Sequence, residues 1–141
     1  MNARMLKVLV AVTGGVILTM PALAHHGTGI SYDNTKAFNM DGVVTEFRYA
    51  NPHPQLYFDV TDEKGTVVHW TAEVPTDLGR MIRAGWTKAR SLAALKQGTR
   101  IKVRVAPAKA GGAVGLANRI QSEKGEPILC MANCDQLEPL K

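Results

Sequence analysis

Four histidines are the side chains in this 141-residue chain best suited to chemistry, and they fall in three settings. His25 and His26 are adjacent, His53 stands between Pro52 and Pro54, and His69 lies in an alternating run with Thr71 and Glu73. Two prolines around His53 exclude a central strand, because each lacks the N–H that a ladder needs. They also push Asn51 and His53 towards extended backbone, which holds the imidazole out at a rigid bend. An unperturbed imidazole titrates at about pH 6.5, so near neutrality it serves as a metal ligand or a proton carrier.

The weight of His25 and His26 comes from what precedes them. Arg4 and Lys7 open a segment in which residues 8–20 are apolar apart from Thr13, Gly14, Gly15 and Thr19. Ala22-Leu23-Ala24 then has the small-x-small form that an export peptidase cuts. The run falls short of the roughly 20 apolar residues of a membrane-spanning helix, and no later stretch reaches that length. Residues 1–24 are therefore expected to be a signal peptide, the protein periplasmic, and no transmembrane segment left after cleavage. Cleavage after Ala24 makes His25 the N-terminal residue, and its amine and ring nitrogen can chelate one metal together. A second imidazole completes a three-nitrogen, tetragonal set that suits copper(II). The expected ligands are His25, His26 and His53, with copper the expected ion and Tyr32 and Asp33 supporting them from behind. Alternatively, His25 and His26 are simply the end of an exported chain.

Composition narrows the remaining classes. Loss of residues 1–24 removes Arg4 and Lys7 and leaves 15 basic against 12 acidic residues, a net charge of +3. That balance, without a run of like charges, gives no reason to expect a nucleic-acid partner. A metal ion or an envelope protein is the expected partner. Cys130 and Cys134 lie close together near the C-terminus, and in an exported chain they are expected to form a local disulfide.

The elements that position these residues are mostly strands. Residues 43–49, 55–61 and 66–74 alternate apolar and polar, with a bend at 51–54 and a glycine turn at 62–65. Asn39-Met40-Asp41-Gly42 is a turn signal ahead of the first run. Thr76 or Asp77 can cap a helix carrying Leu78, Met81 and Ile82, and residues 91–96 suit a second short helical turn. Residues 100–105 put Ile101, Val103 and Val105 on one face and Arg100, Lys102 and Arg104 on the other, and 116–122 is the last full strand. Three strands, a helix and two strands predict a mainly β fold: a small five-stranded, OB-like Greek-key barrel with one helix between strands three and four. The organisation expected is a signal peptide at 1–24, a polar segment at 25–41, the barrel at 42–129 and a cysteine-containing tail at 130–141.

Ala24-His25-His26, Tyr32-Asp33, Gly42-Val43-Val44-Thr45-Glu46-Phe47, Asn51-Pro52-His53, Trp70-Thr71-Ala72-Glu73 and Ala84-Gly85-Trp86-Thr87 together make a recognisable set. In this set the chain resembles a family of small exported bacterial proteins of unknown function, over nearly the whole mature chain up to about Ser122. The resemblance implies an exported β-rich domain with an exposed histidine set and no established activity. The chain departs from the pattern in residues 88–96 and in the tail beyond Pro127.

Two functions follow from these residues. The first is a periplasmic copper-binding or copper-carrying module built on His25, His26 and His53. The second is a ligand- or protein-interaction module that binds on the barrel face around Tyr57, Asp59, His69 and Thr71, with incidental histidines. An enzyme has less behind it, since the sequence lacks Gly-x-Ser-x-Gly, a Cys/His nucleophile pair, His-Glu-x-x-His and a phosphate loop. Intact-mass analysis of the exported protein should give a chain that starts at His25; a start several residues downstream would end the chelate reading.

Overall fold

A computed structural model describes residues 31–141. The three-strand start is a meander of β1 (Phe38–Arg48), β2 (Gln55–Thr61) and β3 (Val67–Glu73). The turn between β2 and β3 forms because Asp62 Oδ1 accepts from the backbone N–H groups of Lys64 and Thr66, both at 2.8 Å. Two short helices follow, α1 (Leu78–Arg83) and α2 (Lys88–Ala94), each capped as its sequence directs: Asp77 accepts from Arg80 N–H and Thr87 from Arg90 N–H. The second helix thus begins at Lys88, ahead of the expected 91. β4 (Arg100–Pro107), β5 (Val114–Ser122) and the short β6 (Pro127–Ile128) complete the sheet.

The sheet order is β3-β2-β1-β4-β5-β6, and an extra parallel pairing of β3 with β5 closes the first five strands into a barrel. The expected mainly β, five-stranded barrel is the architecture found. Its interior is filled by Val44, Phe47, Leu56, Phe58, Ala72, Ile101, Val103, Val105, Ala117 and Ile120, with Met81 from α1, Trp86 and Leu95 plugging it.

Two local expectations are corrected. Asn39-Met40-Asp41-Gly42 is not a turn but the first half of β1, which pairs with β4 from Phe38 to Val43 and with β2 from Val43 to Arg48. One long strand serves both neighbours because Gly42 lets the backbone pass close to Phe58: a Cβ there would sit 2.7 Å from Phe58 Cδ2. The simple alternation expected for 43–49 is also broken. A bulge between Val44 and Glu46 shifts the phase, so Val44 and Phe47 are buried while Val43 is exposed.

The tail is fastened rather than loose. Cys130 and Cys134 are disulfide-bonded, with Cα atoms 5.8 Å apart. Trp86 Nε1 donates to Cys130 O at 2.9 Å, and the fully buried Gln121 accepts from Leu140 N–H at 2.7 Å and donates to Glu138 O. The basic stripe on β4 meets surface partners: Lys102 faces Asp41, Arg100 faces Glu123 and Arg104 donates to Asn39.

β5 lies very close to β4 at Gly115, where a Cβ would lie 2.2 Å from Val105 Cγ1 and 2.6 Å from Ala106 O. Gly115→Ala must push β5 off β4 and should destabilise the protein by about 1–3 kcal/mol. Chemical denaturation checks this; an unchanged midpoint would mean that the barrel tolerates a wider seam than the structure has.

Candidate functional site

The residues that bring chemistry together lie at the end of β3. Gln55 pairs with Glu73 across the β2–β3 ladder. The bend just before β2, with a cis Asn51-Pro52 peptide, therefore carries His53 alongside the last residue of β3. His53 Nδ1 is hydrogen-bonded to Glu73 Oε1, and Tyr32 donates its hydroxyl to Glu73 Oε2 at 3.1 Å. One carboxylate thus holds an imidazole with one oxygen and a phenol with the other. His53 and Glu73 are both half-buried, with side-chain exposures of 34% and 21%.

This arrangement fixes the imidazole. In a neutral imidazole, a hydrogen bond to an ionised carboxylate, which only accepts, places the proton on Nδ1 and leaves the lone pair on Nε2. Burial raises the Tyr32 phenol above its ordinary pKa, and the Glu73 charge and hydrogen bond raise it further. Tyr32 therefore remains a neutral donor. Its backbone is fixed as well: it bridges to Ala108, while Asp33 N–H donates to Pro107 O at 2.9 Å and Lys109 N–H to Ser31 O at 2.9 Å. The segment around Tyr32 that precedes β1 is thereby tied, through Glu73, to the His53 bend.

Asp33 has other partners. Its carboxylate caps the 3-10 turn Asn34–Lys36, accepting from Thr35 N–H and from Thr35 Oγ1 at 2.5 Å, with Lys36 Nζ at 3.6 Å. Those contacts, the Thr35 hydroxyl first, hold it below the usual carboxylate range. His25 and His26 lie outside the described residues. Among the described residues, no group of three or more His, Cys, Asp or Glu is arranged to hold a metal. His53 and Glu73 thus form a pair of one imidazole and one carboxylate.

The second set of expected residues is brought together on the barrel face. Tyr57 pairs with Thr71 and Asp59 with His69 across the β2–β3 ladder. Asp59 Oδ1 lies 2.6 Å from His69 Nδ1, and Arg48, paired with Glu46, covers the Tyr57 ring at 4.7 Å. The His69 side chain is 81% exposed, so this pair is a solvated cross-strand contact. Glu73 is the site residue that sequence reasoning missed. In the sequence it stands only as a member of the alternating run with His69 and Thr71. The signal was the hairpin register: counting back from the turn at 62–65 pairs Glu73 with Gln55 and brings it beside His53.

A small closed β-barrel carrying a half-buried carboxylate–imidazole–phenol cluster is the class that the fold and site define. Residues 15–118 match DUF6152, a family of unknown function, and the chain belongs to that family. No curated protein matches it.

The shared carboxylate gives a testable asymmetry. Glu73→Ala leaves two half-buried polar groups without their acceptor and should cost about 1–3 kcal/mol. Asp59→Ala breaks an exposed pair and should cost at most about 1 kcal/mol. Urea denaturation of both variants measures the difference; equal costs would mean that Glu73 does not anchor the site.

Proposed function

We propose that the protein is a periplasmic metal-binding or metal-carrying module, with copper the first candidate, exported by a signal peptide at residues 1–24. Its ligands are the amine and ring of His25, the ring of His26 and the ring of His53. The observation that supports this reading is the hydrogen bond from His53 to Glu73. Metal-bound histidines commonly give their second ring N–H to a carboxylate, which fixes the tautomer and makes the free nitrogen a better donor.

Tyr32 adds the geometric part. It is held against Glu73, and His26 stands six positions earlier in the sequence. Six residues reach at most about 20 Å, so anchoring Tyr32 keeps the N-terminal donors within range of the His53 ring. Copper(II) suits the set because imidazole and amine nitrogens in tetragonal geometry are its preferred surroundings. Tyr32 and Glu73 would position the ligand without binding metal themselves.

Calorimetric titration with Cu(II) tests the reading on three proteins. Protein starting at His25 should bind one Cu(II) at least about tenfold more tightly than protein with an added N-terminal Met. The extra residue turns the donor amine into an amide that coordinates only after losing its proton. His53→Ala should weaken binding, and His69→Ala should leave it unchanged. Equal affinity for the native and Met-extended proteins would remove the N-terminal histidines from the site and bring the Tyr57, Asp59, His69 and Thr71 face forward.

A further inference from the structure

Full closure would leave a barrel without strand edges, yet β3 is paired on its β5 side along only part of its length. β5 pairs with Thr71, Ala72 and Glu73, and the residues before them, Val67 to Trp70, have no strand neighbour on that side among the described residues. The phase of the ladder shows which backbone groups are left over. Val74 N–H donates to Pro54 O and Asp62 N–H to Thr66 O, so the even-numbered residues of β3 turn their backbone groups to β2. Thr71 N–H, at an odd position, donates to Ala113 O on the opposite side. Val67 and His69 therefore direct their N–H and C=O groups out of the open edge, where they have no backbone partner among the described residues.

The side chains around this edge do not guard it. Exposed edges usually carry lysine, proline or a bulge, whereas Thr66-Val67-Val68-His69-Trp70 contains no Asp, Glu, Lys, Arg or Pro. Val67 is 47% exposed and Val68 is exposed beside it. Phe38, also exposed, stands edge-on to the Trp70 ring at 5.9 Å, and exposed Val114 pairs with Thr71 where β5 begins. Large apolar side chains thus gather at the one stretch where the β3 backbone asks for another strand.

We propose that this edge pairs with the same edge of a second copy, antiparallel about a two-fold axis through Val68. In that register Val67 lies opposite the partner's His69, and each free N–H and C=O of the two edges meets its complement. Val68 lies opposite its own copy, on the face that carries Trp70. A second copy fits because of where each strand stops. An added strand must end opposite Thr71, since β5 takes over the ladder there. β3 itself begins at Val67, just after the 62–65 turn, and this register sets that turn opposite Thr71 of the partner subunit, beside the exposed Val114. The uncharged edge also puts no like charges across the axis.

Sedimentation velocity of the mature protein in EDTA, so that no metal joins two chains, tests this from about 10 μM to about 1 mM, the span in which so small an interface assembles. A monomer–dimer equilibrium should appear. Between the two ends of that span, amide exchange should slow about threefold or more at Val67 and His69, and change little at Val68 and Trp70, whose amides already bond to β2. Val68→Lys and Val68→Glu each set like charges on the axis and should stay monomeric alone, while their equimolar mixture should recover the dimer. Recovery also shows that both variants fold. The proposal is overturned if native protein stays monomeric at about 1 mM, which would leave the edge to a strand of another protein. It is equally overturned if Val67 and His69 gain no protection, or if the mixture does not associate.

Discussion

Three residue pairs close this barrel: Thr71 with Val114, Ala72 with Gly115, and Glu73 with Leu116. Everything of functional interest is arranged about the ends of that seam. Beside that seam β5 passes close to β4 at Gly115, where a Cβ would lie 2.2 Å from Val105 Cγ1 and 2.6 Å from Ala106 O. Once the seam is made, Glu73 is its last position, and its carboxylate is held at the rim between Tyr32 and His53. One residue further on the strands separate, and the gap becomes the cavity that holds Thr76 and Arg119. A single topological event, the end of a parallel pairing, thus sets both places.

The two places differ in what they ask of the chain. At the rim the Tyr32 hydroxyl, the Glu73 carboxylate and His53 Nδ1 are joined, and the imidazole is held in one orientation. Beyond Val74, Thr76 Oγ1 and Arg119 Nε and Nη2 are shut off from solvent and have no hydrogen-bond partner among the described residues. The first arrangement pre-organises a donor at little cost to stability. The second leaves buried polar atoms without partners, which costs stability.

Much of the barrel was legible because strand faces carry their own signal. Leu56 and Phe58, and Ile101, Val103 and Val105, alternate with polar residues and are all buried. Reading failed where a backbone device overrides the alternation. The bulge after Val44 shifts β1 by one residue, and Gly42, read as the end of a turn, is a bend inside a strand. His53 could be singled out because two prolines isolate it. Its partner Glu73 could not, since twenty positions of sequence separate them and only the hairpin register joins them. The fastening of the tail was hidden more deeply, because the Gln121–Leu140 and Trp86–Cys130 contacts join residues far apart in sequence. Such long-range covering leaves no local pattern in the sequence.

The central claim is that a His53 nitrogen, oriented by Glu73, completes a site begun at His25. Electron paramagnetic resonance of the protein loaded with one equivalent of Cu(II) tests it at the metal itself. The account predicts nitrogen superhyperfine structure that loses one imidazole contribution in His53→Ala and stays unchanged in His69→Ala. Identical spectra for the native protein and His53→Ala would contradict it, since the copper would then be held without the residue around which the barrel rim is built.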